Sequence, residues 1–465
     1  MIDDNYIFLT KSILVRNLSK NQFNVLTDIS LKLNDLRNCA LDMTGLYKSQ
    51  DGGHYKKINF KSVISSVKKR FNKGYSFIQA HIANACIKKH VESFNGYVKL
   101  MNKKIEGKYD RSVHKPKKHH NGCLHNIIIP KPSITSSKKK LREGYIELPL
   151  SREYKKQLKS KDSRPRIKIP VDIRDKEIIQ VEIIPINNGR MFKANFTYKV
   201  KKEPWDLDKD NVMGIDLGVN NFATVVTSEG TPFIVDGRFL KNQIAFKCKK
   251  TSHYQSILNR NGLKKSQRIK KINNKFKGIQ NNFLNHTVKY IIEICKKHNI
   301  GTIILGYNNK FQYKSNIGSK TNQLFSHYAF KQFKEKLETK CTKHDITLKI
   351  QEESYTSKSS FLDQDILPTY QPNKTNIKYH FKGRRIRRGL YKTSNGTLIN
   401  ADVNAACNII RKSKQKFSNE RLCKWVQYAP SKIKPFKHFT KKLWLCHNYF
   451  VRIVSLILQR QSLFL

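Results

Sequence analysis

The chain is predicted to combine an α/β unit with separate all-β and all-α parts, on three observations. After residue 211 a strand-like stretch is followed by a long helical region and then by two helix-to-strand units. Between 143 and 200 short strands dominate, and the last two alternate with period 2. From about 21 to 104 apolar residues recur instead at three- to four-residue spacing, as on one face of a helix.

Taken in order, "NYIFLTKSILVRNL" (5–18) reads as a strand. "FNVLTDISLKLNDLRNCALDM" and "FIQAHIANACIKKHVESFNGYVKLM" read as helices joined through the turn-rich "SQDGGHYKK" (49–57). The Lys-, Pro- and Ser-rich stretches between about 106 and 140 read as exposed basic connectors. "GYIELPL", "RIKIPV", "IIQVEIIPI" and "MFKANFTYKV" form a small antiparallel sheet or barrel, whose first strand would be the N-terminal one. After the linker "KKEPWDLDKDN" (201–211), "VMGIDLGVNNFATVVTSEGTPFIV" reads as a hairpin turning at Ser228–Glu229–Gly230. A basic helical region spans about 240–298, and two αβ units end in "NIGTIILG" and "DITLKIQEE". "INADVNAACNIIRKS" reads as a helix, and the last 50 residues give no clear pattern.

Lys and Arg number 91 against 34 acidic residues, a formal charge of +57 over 465 residues. Solubility needs far less, so the partner is expected to be a polyanion, with nucleic acid ahead of a ribosomal-type or membrane-surface role. Phe and Tyr among the basic residues supply stacking platforms, although aromatic residues also fill cores. The N-terminus carries no basic segment followed by an apolar one, which argues against a signal peptide. No apolar run reaches membrane-span length, and the nearest, "YFVRIVSLIL" (449–458), is interrupted by Arg452. No membrane partner is expected.

None of the nine cysteines forms a CxxC pair. Two CxxH pairs exist, Cys295/His298 and Cys341/His344, each where a helix ends in cations before a strand. Cations there complement the helix dipole, and a buried cysteine packs as a small apolar residue, so zinc is not expected. The cluster His119, His120, Cys123 and His125 lies in a basic loop-like stretch and is read the same way.

The chemistry is expected to rest on carboxylates. Asp216 stands among apolar residues in "VMGIDLGVNN", where an isolated buried carboxylate is costly unless it is paired or binds metal. The alternative is a turn or cap aspartate beside Gly214 and Gly218. Asp402 in "INADVNAACNII" is either a second site residue or a helix N-terminal residue favoured by the dipole. Hairpin strands, then αβ units, with an aspartate inside the first strand, is the element order of an RNase H-type fold.

"GIDLGVNNFATVV" and "GTLINADVNAACNIIRK" resemble the first and third motifs of the RuvC nuclease domain of TnpB, a transposon-encoded RNA-guided endonuclease family related to Fanzor proteins and type V CRISPR effectors. "YTSKSSFLD" and "KGRRIRRGLY" resemble stretches between the second and third motifs in one TnpB branch, and the detailed match covers about 211–412. The resemblance implies a RuvC-like nuclease domain at 204–412, with a basic helical insert at about 240–298 and a loop insert at about 356–398. It implies an N-terminal β-barrel wedge domain, 1–20 and 106–203, interrupted by a helical recognition lobe at 21–105, and a C-terminal tail at 413–465.

Two departures matter. The family's second motif normally ends its strand in a glutamate, but "TIILGYNNK" has Gly306 and Tyr307 there. The zinc-knuckle cysteines usual after "YTS" are replaced by Ser359, Ser360 and Phe361. Two aspartates alone would hold a pair of divalent ions poorly. The missing carboxylate is therefore expected from "TLKIQEE", the strand beside "TIILG", because α/β sheets gather ligands at strand carboxyl ends. Glu-x-Tyr-Thr-Ser resembles the TnpB branch with Gly-Tyr-Asn in its second motif and favours Glu353. Strict alternation from Ile346, Leu348 and Ile350 favours Glu352 instead. The reading takes Glu353, with Glu352 second and Asp363 and Asp365 as weaker candidates.

The expected function is Mg²⁺-dependent, RNA-guided DNA cleavage. Asp216, Glu353 and Asp402 would hold two ions, and Asn220 and Asn404 would assist or serve structure. Arg384, Arg385, Arg387 and Arg388 would contact phosphates beside the cleft. The implied partners are a guide RNA and double-stranded target DNA with a short flanking motif. The alternatives are a nuclease-inactive RNA-guided repressor and a type V CRISPR effector of the same chemistry. The setting would be the nucleoid in a prokaryote or the nucleus in a eukaryote.

Overall fold

A computed structural model describes residues 5–49, 51–135, 141–158, 163–308, 319–369, 379–414 and 419–435. The chain divides into two compact units after Lys201.

In the first unit, β1 (Tyr6–Leu14) leads into four helices, α1 (Lys20–Asp42), α2 (Phe60–Arg70), α3 (Asn72–Phe77) and α4 (Ala80–Ile105). Ser19 starts α1 with a reciprocal capping box to Gln22, satisfying two otherwise orphaned backbone donors. The chain then forms β2 (Ile127–Pro130), α5 (Lys131–Thr135), β3 (Tyr145–Glu147), α6 (Arg152–Lys156), β4 (Arg166–Lys168), β5 (Glu177–Ile186) and β6 (Met191–Lys201). The antiparallel sheet runs β1-β6-β5-β2, and β3-β4 form a separate pair. The N-terminal strand thus joins the later β segment, as its alternation suggested. The expected barrel is corrected: β1 and β2 are opposite edges of an open sheet among the described residues. Apolar faces of α1, α2 and α4 (Leu26, Leu33, Val67, Ile82, Ile87) share one core with Ile127, Ile129, Val181 and Phe196. The basic connector reading missed β2, four residues too short to show a period.

The second unit begins with β7 (Val212–Leu217), β8 (Asn221–Thr227) and β9 (Gly230–Asp236). These make a three-stranded meander rather than one hairpin, because a further turn lies at 218–220. Then follow α7 (Arg238–Arg260), α8 (Gln267–Lys297), β10 (Thr302–Gly306), α9 (Ser319–Ser326), α10 (Phe330–His344) and β11 (Thr347–Gln351). The strands β12 (Arg384–Arg387), β13 (Leu390–Lys392) and β14 (Leu398–Asn400) precede α11 (Ala401–Lys412), α12 (Asn419–Val426) and β15 (Ser431–Ile433). The main sheet runs β11-β10-β7-β8-β9-β15, with β10 parallel to β7 and to β11, and β15 parallel to β9.

Strands β7 and β10 are buried almost throughout, as expected of central strands covered on both faces. Met213, Ile215, Leu217, Ile303 and Leu305 pack toward α7, α8 and α10. Val212, Val226 and Ile304 pack on the other face against Ala406, Ile409 and Ile410 of α11. A Cβ on Gly214 would stand 2.6 Å from Ile410 Cγ1 and 2.7 Å from the Ala406 carbonyl, so glycine there lets α11 lie close to the sheet.

Two further expectations are corrected. "GRRIRRG" is not a loop: Arg384–Arg387 is a strand of the antiparallel sheet β12-β13-β14, with a bulge between Arg385 and Arg387. Residues after 412 are not simply a tail, since α12 packs on β8 and β9 and β15 extends the main sheet. The run 449–458 and Trp444 lie outside the described residues. Among the described residues no helix is long and apolar enough to cross a membrane.

Candidate active site

Asp216 follows Val212 and Gly214 on the α11 face of β7, so the strand period delivers its side chain beside the start of that helix. Asp402 occupies the first turn of α11, below a cap in which Asn400 Oδ1 accepts the N–H groups of Asp402 (3.0 Å) and Val403 (3.1 Å). Glu353 lies just past the end of β11, where Thr356 Oγ1 donates to its carbonyl at 2.8 Å. Tyr355 takes a φ of 63°, a left-handed turn that redirects the chain immediately after the glutamate. The three side chains line one polar cavity of about 630 Å³.

Burial, then the charges of Glu353 and Asp402, hold the Asp216 carboxyl well above the usual carboxylate range, with Arg385 opposing. Burial and then the charge of Glu352 push Glu353 up to about 7, with Lys412 opposing. Asp402 accepts a 2.6 Å hydrogen bond from Asn221 Nδ2 and lies 3.7 Å from the Arg385 guanidinium.

Glu352, the second choice, does not line this cavity. Its Oε2 pairs at 2.6 Å with Lys412, whose side chain is only 6% exposed and also donates to the Ser354 and Pro368 carbonyls. The strict alternation that favoured Glu352 fails because β11 is a sheet edge that ends at Gln351, with Ile350 42% exposed.

Of the four arginines, Arg385 and Arg388 line the cavity, whereas Arg384 and Arg387 are exposed strand residues outside its lining. Asn220 accepts from Lys241, and Asn404 is fully buried, bonding Phe361 N (2.9 Å) and the Ser359 carbonyl (2.8 Å). Asn408 bonds the Thr356 and Ser359 carbonyls. Two asparagines of α11 thus anchor the segment in which Ser359, Ser360 and Phe361 are all fully buried. Asp365 accepts the N–H of Ser360, and Asp363 accepts Ser394 Oγ at 2.6 Å, so both hold loops together.

Cys295 and Cys341 are buried thiols raised by desolvation. His298 bonds the Glu229 carbonyl, and His344 stacks on Trp205 at 3.9 Å. His119 faces Asn34, and burial lowers His125 to about 4. Among the described residues no three His, Cys, Asp or Glu side chains close on one point as a metal cluster would. The carboxylates that could ligate a divalent cation are Asp216, Glu353 and Asp402, which line one polar cavity.

Asn221 and Lys412 are the residues that sequence reasoning missed. Asn221 carried a readable signal in the pair of asparagines after Gly218, whereas nothing local marks Lys412.

A family model described as a probable transposase, OrfB_IS605, matches residues 195–312, which include Asp216 and Gly306. A second, described as Cas12f1-like, TNB domain, matches 330–409, which include Glu353 and Asp402. The TnpB-like protein ORF457 of Acidianus two-tailed virus is 23% identical over 418 residues, covering 84% of each chain. Among solved structures, a Cas12f1-sgRNA-target DNA complex is similar at 15% identity and TM-score 0.32, covering 86% of this chain and 98% of that one. The mini-RNA-guided endonuclease CRISPR-Cas_phi3 is similar at 11% identity and TM-score 0.38, covering 88% and 93%. Both family models thus match along the second unit, and the chain is similar to a TnpB-like protein over most of its length.

Proposed function

We propose that the protein is an RNA-guided DNA endonuclease whose second unit is an RNase H-like, RuvC-type nuclease domain. The observation that carries this reading is the meeting of Asp216, Glu353 and Asp402 in one trench from three separate elements. The meander β7-β8-β9 with parallel β10 and β11 beyond β7 supports the RNase H-like topology. The charge of +57 and the similarity to a TnpB-like protein support nucleic-acid partners, a guide RNA and a double-stranded target. In the first unit, the open β sheet would serve as the wedge and α1–α4 as the recognition lobe, reading a short flanking motif.

Asp216, Glu353 and Asp402 would hold divalent cations, with Mg²⁺ expected. Such ions supply an activated water and neutralise the leaving oxygen in phosphodiester hydrolysis. The protein's own part is positional. Asn221 fixes the orientation of Asp402, and Lys412 draws Glu352 away, leaving Glu353 to face the trench. Arg385 and Arg388 line the same trench and would engage the phosphates of the strand being cut.

The test is to purify the protein with co-expressed RNA, sequence that RNA, and assay cleavage of matching DNA with Mg²⁺. Alanine at Asp216, Glu353 or Asp402 should each abolish cutting while guided binding persists. Glu352→Ala should retain measurable cutting. Cleavage that survives Glu353→Ala would overturn the assignment, and wild-type guided binding without cutting would give the repressor reading instead.

A further inference from the structure

The register of the main sheet places a basic residue of the C-terminal segment in line with the catalytic aspartate. Asp216 pairs with Thr224, Thr224 with Ile234, and Ile234 with Lys432 of β15. Paired residues on adjacent strands project to the same face, so these four side chains form one cross-strand row. The alternation on β15 agrees, because Ile433 packs into the core on the opposite face while Lys432 is exposed. All four members of the row line the carboxylate trench, which makes the row its floor. Three strand spacings separate its ends, about 14 Å.

The charges along this floor are ordered. Asp216, Glu353 and Asp402 lie toward β7, β10 and β11, with Arg385 beside Asp402. Toward β9 and β15 the lining becomes cationic, with Lys432 and Arg238. Asp236 holds the Arg238 guanidinium by a 2.6 Å Nη2–Oδ2 bond and a 2.9 Å bond from Nε to Oδ1, which fixes one cation as an oriented donor. Lys432, whose charge also acts on Asp236, is the other cation at this end.

We propose that Lys432 is a phosphate subsite for the DNA strand entering the nuclease trench, binding a phosphodiester away from the scissile one. The C-terminal strand β15 then gives the trench a polarity: carboxylates at one end cut, and a lysine at the other holds the strand in register. This rests on the nuclease reading above. A point-charge lysine suits backbone phosphate without base preference.

The experiment has two arms on the full-length protein with its RNA. In the first, Lys432 is replaced by the photocrosslinking residue p-benzoylphenylalanine, and the complex is irradiated on matching DNA. Cross-links confined to a few adjacent DNA nucleotides support the subsite, whereas cross-links to RNA alone, or none, overturn it. This arm does not require cleavage, so a complex that binds but never cuts would sink the nuclease reading while still deciding the subsite. In the second, Lys432→Ala should raise the apparent KM for pre-unwound DNA about three- to tenfold, with kcat within about twofold. It should also lower the salt slope of DNA binding by about one, with Lys432→Arg restoring both. An unchanged KM and salt slope would overturn the proposal. A fall in kcat and melting temperature without a KM change would do so too, because that pattern belongs to a strand that only closes the sheet edge.

Discussion

Glu353 lies against Gly306: a Cβ built on that glycine would stand 3.2 Å from Oε2 of Glu353. The same Cβ would stand 2.5 Å from Cδ1 of Ile409. Gly306 is opposite Gln351 in the parallel ladder, and its neighbour Leu305 is opposite Ile215, so position 306 flanks Asp216. A carboxylate borne by residue 306 and the one borne by Glu353 would compete for the same space. The absent side chain on β10 and the glutamate beyond β11 are two halves of one arrangement.

Gly306→Ala should therefore lower single-turnover cleavage by tenfold or more and cost about 1–3 kcal/mol in stability. Thermal melts and single-turnover kinetics check it together. Cleavage at the wild-type rate would show that Glu353 does not depend on the absence of a side chain at position 306.

The pH dependence has a definite sign. Glu353 is raised from its ordinary 4.5 to about 7, and Asp216 is raised as well. The folded state therefore binds more protons than the unfolded state between about pH 4.5 and 7, and stability falls as pH rises through that window. Glu353→Gln should raise the melting temperature at pH 8 by a few degrees and leave it nearly unchanged at pH 4.5. Added Mg²⁺ should stabilise the wild type more at pH 8 than at pH 5, and scanning calorimetry at both values reads the difference.

Lys412→Ala removes a nearly buried ammonium and with it the partner of Glu352, which is itself a third exposed, and of the Ser354 and Pro368 carbonyls. The expected loss is about 1–3 kcal/mol, with a fall in kcat as the Glu353 turn loosens. Pairing Lys412→Met with Glu352→Gln should recover much of the stability, because no uncompensated charge then remains. Denaturant melts of the single and double variants measure the coupling.

The segment 356–361, in which Ser359, Ser360 and Phe361 stand at the expected zinc-knuckle positions, is held by Asn404 and Asn408. A zinc-selective chelator should leave melting and cleavage unchanged. Asn408→Ala should destabilise by about 1–3 kcal/mol, since it leaves the Thr356 carbonyl without this donor and the Ser359 carbonyl with Asn404 alone. A large melting shift on chelation would place a zinc ion in the protein.

What was legible in the sequence was local or repetitive. Apolar runs and turn residues gave the strands around Asp216, period-2 alternation gave the strands before residue 200, the motif INADVNAACNII gave the helix carrying Asp402, and the charge of +57 gave a polyanionic partner. Flanking motifs drew attention to Glu353. The short β2 and β15 carried too few residues for a period, and the bulged Arg384–Arg387 strand looked like a basic loop. The motif Glu-x-Tyr-Thr-Ser favoured Glu353 over Glu352, and only the tertiary structure shows Glu353 lining the trench while Glu352 pairs with Lys412. Lys412 is 60 positions away along the chain, and its buried ammonium claims Glu352. Lys432 reaches the trench floor only because β15 pairs with β9. Periodicity specifies which face of an element is apolar, but which charge meets which across a sheet depends on pairings between segments that share no local pattern.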